Sequence, residues 1–359
     1  MEIQTAREKA MAGERLSLAD AMALYEENDL LFLADAARRA KERKSGKKVF
    51  YTVNRHINLT NVCSSNCPLC AFQVEEGDAR GFTLEKADIE RILADAKQTK
   101  NLSEVHIVSA LHPDKPFSYY RDIVQMVKAA LPAVDVKAFT PVEIVNFAKL
   151  EHRSVEAILR ELKEAGLVSL PGGGAEILSD RVRGKLCPNK ATADEWLTVA
   201  RTAHELGIKT NASMLYGHIE TIEERVEHLL RLRELQDETG GFQTFIPFPF
   251  LPSHTELGRT VRQTTMWDDL RTIAISRLML DNFRNIKAYW VMLTVPVAQV
   301  ALCFGANDID GTVHKETILH DAGAKSPRAL SEDHIIRVIR EIGRTPAACD
   351  SNFNIIETY

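Results

Sequence analysis

From about residue 50 the chain settles into one rhythm. A short apolar run is followed by a longer amphipathic one, and the pair repeats about eight times. The short runs predict strands at residues 55–59, 104–109, 135–139, 167–170, 209–215, 241–247, 287–293 and 303–308. The longer runs predict helices at 84–97, 119–130, 142–149 with 154–165, 193–206, 222–238 and 267–282. Strands that alternate with helices pair in parallel, because each helix carries the chain back to the starting edge. Eight such units over roughly 260 residues suit a closed (β/α) barrel better than a doubly wound sheet. The Gly-x-Gly-x-x-Gly turn of a dinucleotide-binding sheet is absent after the first strand.

Residues 14–44 precede this rhythm and read as helix. Ser17 caps the stretch from Leu18, and a second amphipathic run follows at 29–43. Residues 44–48 form a polar break. After about Ser326 one more helix, 331–343, is expected, ended by Gly343. The expected organisation is an N-terminal helical extension (1–49), the barrel (50–325) and a C-terminal helix and tail packing on it (326–359). With 45% hydrophobic residues in a chain of 359, such a barrel can bury a large core without disulfides. The 45 basic and 50 acidic residues leave a formal charge of −5, which gives no general attraction to nucleic acid or anionic lipid. No run of 18 apolar residues suggests a membrane span, and the first residues lack the order of a signal peptide. The expectation is a cytoplasmic protein with no nucleic-acid and no membrane partner.

Six cysteines are too few for a disulfide scaffold, and three of them fall within eight residues. Cys63, Cys67 and Cys70 follow the first predicted strand with the spacing Cys-x3-Cys-x2-Cys. On the barrel reading this is the first βα loop, at the end where such barrels keep their active sites. Three thiolates on one short loop can hold three corners of a cubane iron–sulfur cluster, which four cysteines normally hold. One iron would be left to bind a small molecule. A structural zinc is the ordinary alternative. It would need a fourth ligand from afar, such as His56, His106 or Cys187. Cys187, Cys303 and Cys349 stand singly and read as small buried hydrophobes.

With this loop the chain resembles the radical S-adenosylmethionine (SAM) superfamily. Further stretches resemble one family within it, the aminofutalosine synthases: residues 54–58, 111–114, 137–144, 171–177, 214–221, 235–241, 286–292 and 305–312. The resemblance implies a radical SAM (β/α) barrel and a [4Fe-4S] cluster on Cys63, Cys67 and Cys70. It implies SAM as a consumed co-substrate, cleaved to methionine and a 5′-deoxyadenosyl radical. That radical would add to the enol ether 3-[(1-carboxyvinyl)oxy]benzoate. Aryl migration and loss of bicarbonate would then give 6-amino-6-deoxyfutalosine for menaquinone synthesis. The alternative is a sibling enzyme, the dehypoxanthine futalosine cyclase or a deazaflavin-type synthase. A flavodoxin or ferredoxin is the implied electron donor.

The resemblance also implies where SAM lies. Leu69, before the last cysteine, presents its backbone to the adenine. Ser109-Ala110 stands where relatives carry Gly-Gly beside the SAM amino group. Glu143 is the acid for the methionine ammonium or the ribose, and Gly217 and Ile219 run past the adenine. Other candidates come from the residues themselves. His56, Asn58 and Thr60 alternate and so share one face of the first strand. Pro171–Gly174 allows close approach of backbone to a ligand, or simply a tight turn. Glu176, just beyond it, is the candidate pocket acid. Arg55, His112, Lys137, Arg181 and Arg183 are candidates for the two substrate carboxylates, and His112 is favoured for its place in a βα loop. Asn307, Asp308 and Asp310 are candidate polar residues of the last loop. The four aromatics of 242–251 either line the benzoate pocket or belong to the core.

Overall fold

The computed structural model describes residues 2–359. Eleven strands occur among them: β1 (Lys48–Thr52), β2 (Asn54–Asn58), β3 (Glu104–Val108), β4 (Asp135–Ala138), β5 (Leu167–Leu170), β6 (Lys209–Tyr216), β7 (Phe242–Pro249), β8 (Asn285–Ile286), β9 (Asp308–Gly311), β10 (Thr345–Cys349) and β11 (Ile355–Thr358). Strands β2 to β8 form one parallel sheet in chain order. Two parallel bridges close it: Lys287 pairs with Asp308, and Arg55 pairs with His314. The segment from β9 to His314 therefore takes the eighth place in the ring, and the expected barrel is present.

The sequence sets the rhythm locally. Thr140, Thr192 and Thr221 each begin a helix with a capping box, accepting a backbone N–H while an acid three residues on returns the bond. Gly166 and Gly240 end two helices in the left-handed conformation, one and two residues before β5 and β7. Ser17 caps the helix Leu18–Tyr25, as its position suggested.

Several elements differ from the sequence reading. Residues 287–293 are not a strand. Pairing stops at Lys287, and Trp290–Leu293 is a helical turn. A run buried on every side carries no periodicity to separate strand from helix. Residues 303–305 are likewise turn, and the strand comes later, at Asp308–Gly311. Helix Glu2–Ala12 and strand β1 went unread. The tail carries more than a helix: β10 lies parallel to β1, which also pairs with β9, and β11 runs antiparallel to β10. This second sheet ties the start of the barrel to the end of the chain.

Arg277, on the helix Met266–Met279, fastens the closing strands. It is fully buried and donates to the carbonyls of Gly305, Phe283 and Arg284 and to Asn307 Oδ1. Asn307 is thereby a structural link: its Oδ1 also accepts from the Ile286 N–H at 3.0 Å. Arg277→Met would strand several of these acceptors at once. Each buried unsatisfied group costs about 1–3 kcal/mol, so a loss of at least about 3 kcal/mol is expected. Urea unfolding should show a lower midpoint with an unchanged slope.

Candidate active site

The cysteine loop opens at the C-terminal end of β2. Its backbone is pinned on both sides: Cys63 N–H donates to Val74 O at 3.0 Å and Ser64 N–H to Leu111 O at 2.9 Å. Gln73 clamps the middle of the loop, accepting from Cys67 N–H and donating to Cys67 O. Cys67 is buried, and Cys63 and Cys70 are half-buried. All three line a cavity of about 330 Å³ inside the barrel. Among the described residues, no three His, Cys, Asp or Glu side chains converge on the point that a single metal ion needs. A cubane asks for something else, each thiolate on its own iron. Three thiols spread over one short pinned loop at the cavity wall fit such a cluster.

Two acids stand near this mouth. Glu143 is buried in the first turn of its helix, where Thr140 N–H and Oγ1 both donate to Oε2 at 2.7 Å. Ser109 N–H donates to Oε1 at 2.8 Å. Burial outweighs these three bonds and pushes the carboxyl up to about 7. Glu176 has a positive φ of 45°, an uncommon conformation for a side-chain-bearing residue, and lines the cavity. It pairs with Lys190 at 2.9 Å. Burial alone would raise the Glu176 carboxyl, but the ammonium beside it holds it below the usual range.

The glycine run connects these groups. Its carbonyls are held from outside: Gly172 O by Ser213, Gly173 O by Trp196 Nε1 at 3.1 Å, and Gly174 O by Arg183 at 3.2 Å. A Cβ on Gly172 would lie 2.7 Å from the Asn211 backbone, so this position admits no side chain without movement of β6.

Deeper in the barrel the wall turns apolar, then charged again. Ile246, Phe248 and Tyr289 line the middle, with the Phe248 and Tyr289 rings edge to face at 5.4 Å. At the floor His56 and His106 stack at 4.5 Å with planes 7° apart. They share a layer with Lys137 by strand register. Lys137 pairs with Glu104 at 2.5 Å, and Lys287 pairs with Asp310. Burial would raise Glu104, but Lys137 and His106 hold it well below its ordinary value. Burial, with His106 adjacent, pulls His56 down to about 3, so its ring is neutral.

The structure brings Cys63, Cys67, Leu69, Cys70, Ser109, Glu143 and Glu176 around one cavity. Of the remaining candidates, His56, Lys137, Pro171–Gly174, Asp310, Phe248 and Phe250 also line it, and others do not. Asn58 accepts from Thr317 Oγ1 and borders a separate surface hollow, and Thr60 donates to Phe82 O, because β2 ends at Asn58. Of the shared face only His56 reaches the cavity. His112 lies outside the lining, buried in its loop, with Nδ1 accepting from Asp114 N–H. Gly217 and Ile219 also lie outside it. Glu220 accepts from Gly217 N–H at 2.6 Å, and Ile219 packs on the core. Arg55 and Arg181 are taken up by Asp95 and Glu224, and Arg183 by backbone carbonyls. Of the proposed carboxylate partners, Lys137 alone faces the cavity. The aromatics of 242–251 divide evenly: Phe248 and Phe250 line it, while Phe242 and Phe245 are core.

Glu104, Lys190 and Lys287 were not singled out from sequence, and His106 only as a possible zinc ligand. A signal existed for two of them. Helices cover the outside of a (β/α) barrel, so the polar face of a strand must point inward. Glu104-Val105-His106-Ile107 alternates in this way. Lys190 sits on a loop and Lys287 beside a misread strand.

Comparison with known proteins agrees with this geometry. Residues 57–232 match the radical SAM superfamily, and residues 239–358 match the CofH/MqnC C-terminal region. An aminodeoxyfutalosine synthase of Thermus thermophilus is 44% identical over 98% of this chain and 95% of its own. A 5-amino-6-(D-ribitylamino)uracil–L-tyrosine 4-hydroxyphenyl transferase of Methanothermobacter thermautotrophicus is 42% identical over 92% of this chain and 90% of its own. The crystal structure of methylornithine synthase (PylB) superposes with a TM-score of 0.75 at 19% identity, covering 95% of this chain and 97% of that one, which shows a shared fold. A chain with this loop, this barrel and relatives this similar belongs to the radical SAM superfamily, in the branch that shares the CofH/MqnC C-terminal region.

Proposed function

We propose that this chain acts as an aminodeoxyfutalosine synthase. In this reading it joins the 5′-deoxyadenosyl group of SAM to the enol-ether methylene of 3-[(1-carboxyvinyl)oxy]benzoate. The aryl group moves from oxygen to carbon, the side-chain carboxylate leaves with one water as bicarbonate and gives back the electron spent on SAM, and methionine is released. The observation that carries the reading is the 44% identity with a synthase of that name over nearly the whole chain. Cys63, Cys67 and Cys70 would hold the [4Fe-4S] cluster, which supplies the electron that cleaves SAM.

The chain's own residues then bind and orient. Glu143 accepts hydrogen bonds from the SAM ammonium or ribose, and the Ser109 backbone, held by Glu143, and the Leu69 backbone border the same end. Glu176 and Lys190 form a charge-balanced wall beside the reacting centre. The apolar belt of Ile246, Phe248 and Tyr289 excludes water from the ring. The reductant in this reading is a flavodoxin or ferredoxin, and the reaction takes place in the cytoplasm. No described helix is long and apolar enough to cross a membrane.

The transferase relative at 42% identity favours a second reading, with L-tyrosine and 5-amino-6-(D-ribitylamino)uracil as substrates. Mass spectrometry of anaerobic reactions separates the two. Cluster-loaded protein, SAM and dithionite should give the mass of aminodeoxyfutalosine from the enol ether. They should give no product from tyrosine with the uracil. The reverse pattern would replace the first reading with the second.

A further inference from the structure

The barrel floor is more polar than a core needs. His56 is buried, yet its Nε2 has no hydrogen-bond partner. A neutral imidazole offers one N–H donor, and leaving a buried polar atom unpaired is costly. Two ammonium groups stand in the same floor. Lys137 donates to Glu104 and Lys287 to Asp310. An ammonium carries three N–H donors, so both have capacity left. The third acid of the floor, Asp308, is pushed up by burial, against the pull of Lys287. Lys137 and Lys287 thus each face an acid, and both pairs line the cavity.

This floor lies on the far side of the apolar belt from the cysteine loop. His56 lies in the middle of β2, whose C-terminal end opens into the loop that carries Cys63, seven residues further on. A ligand that spans the cavity would therefore meet a polar mouth, an aromatic-friendly middle and a polar floor. An aryl carboxylate with its reactive group at another ring position, here meta to the carboxylate, can reach floor and mouth with the ring in between.

We propose that His56, with Lys287 and Lys137, forms the subsite for the ring carboxylate of the substrate, so that the ring stands in the apolar belt and the enol ether faces the mouth. The assignment rests on the aminodeoxyfutalosine reading for the identity of the acid. It fixes which of the two carboxylates is retained deep in the barrel and which is exposed to the reacting centre.

The test compares two substrates on three proteins. The substrates are the enol ether of 3-hydroxybenzoate and its analogue without the ring carboxylate, 2-phenoxyacrylate. The proteins are the cluster-loaded wild type, His56→Leu and His56→Gln. Wild type should favour the carboxylated substrate in kcat/KM by about thirtyfold or more. His56→Leu should reduce that preference to a few-fold, and His56→Gln, which keeps an N–H donor, should restore part of it. Calorimetry with SAM present adds a binding readout: 3-methoxybenzoate should bind more tightly than methoxybenzene in wild type, and His56→Leu should narrow the gap. Equal loss on both substrates, or a preference that survives His56→Leu, would overturn the subsite. If wild type forms no adduct but 3-methoxybenzoate still binds in a His56-dependent way, the subsite stands and the substrate reading falls.

Discussion

Replacing Cys67 with alanine is expected to abolish adduct formation and to strip the protein of iron. Cys67 is the buried member of the trio, and Gln73 holds its backbone from both sides. The loop should keep its shape when the thiol is lost, because its anchors are backbone bonds to Val74 and Leu111. A cluster left with two thiolates loses the ligation on which its assembly depends. Iron and sulfide analysis after anaerobic reconstitution should fall from roughly four irons per chain to near zero. Cys303→Ala is the matched control. Its thiol packs on the core away from the cavity, so iron content and activity should stay at wild-type levels. Full iron in Cys67→Ala would remove the loop from the mechanism.

Glu143→Gln should weaken SAM binding by about ten- to a hundredfold at pH 8, the worth of one charge-assisted hydrogen bond. The amide keeps the size of the side chain but offers no charge to the SAM ammonium. The pH dependence gives a sharper test. Burial holds the wild-type carboxyl near 7, against an ordinary 4.5. Binding a cation favours the ionised form, so below pH 7 SAM must displace a proton. SAM affinity should rise with pH up to about 7 and then level off, whereas the glutamine variant should show no such rise. The ligand-free protein should respond in the opposite sense. Between pH 4.5 and 7 the folded state keeps the Glu143 proton and the unfolded chain has lost it. The unfolded state then binds fewer protons, and stability falls as pH rises through that window. The loss is about 3 kcal/mol at 1.36 kcal/mol per unit. Thermal melts of wild type and Glu143→Gln from pH 5 to 8 should diverge by that trend. Parallel curves would mean that Glu143 is an ordinary helix-start acid.

Much of the barrel was legible because its units are local. Thr140, Thr192 and Thr221 announce helices by caps, and the strands at 135–138, 167–170 and 209–216 are short runs between turn signals. The errors share a different cause. β1 begins with Lys48 and read as part of a polar break, yet it pairs with β10 nearly three hundred residues away. β9 is Asp308-Ile309-Asp310-Gly311, a poor strand by propensity. It forms because Asp308 and Asp310 face Lys287 inside the barrel. Such pairings lie beyond any local window.

The site divides along the same line. The cysteines lie in a stretch whose spacing carries the chemistry, and Glu143 lies in one of the stretches that carry the family resemblance. The floor does not. His56, His106, Lys137 and Lys287 come from four different strands or strand ends, and only the closed ring places them together. The sequence favours His112 over the arginines for the carboxylates, yet His112 lies outside the cavity lining. What decides against the arginines is occupation, since Asp95, Glu224 and backbone groups already use them.

The most direct test of the account follows the adenosyl group itself. Anaerobic, reduced, cluster-loaded protein is given the enol ether and SAM carrying 13C in the ribose, and the products are separated by mass spectrometry. The account predicts that the label appears in aminodeoxyfutalosine, in equal yield with methionine. Label recovered as free 5′-deoxyadenosine, with the enol ether unchanged, would contradict it and leave a radical SAM enzyme acting on another substrate.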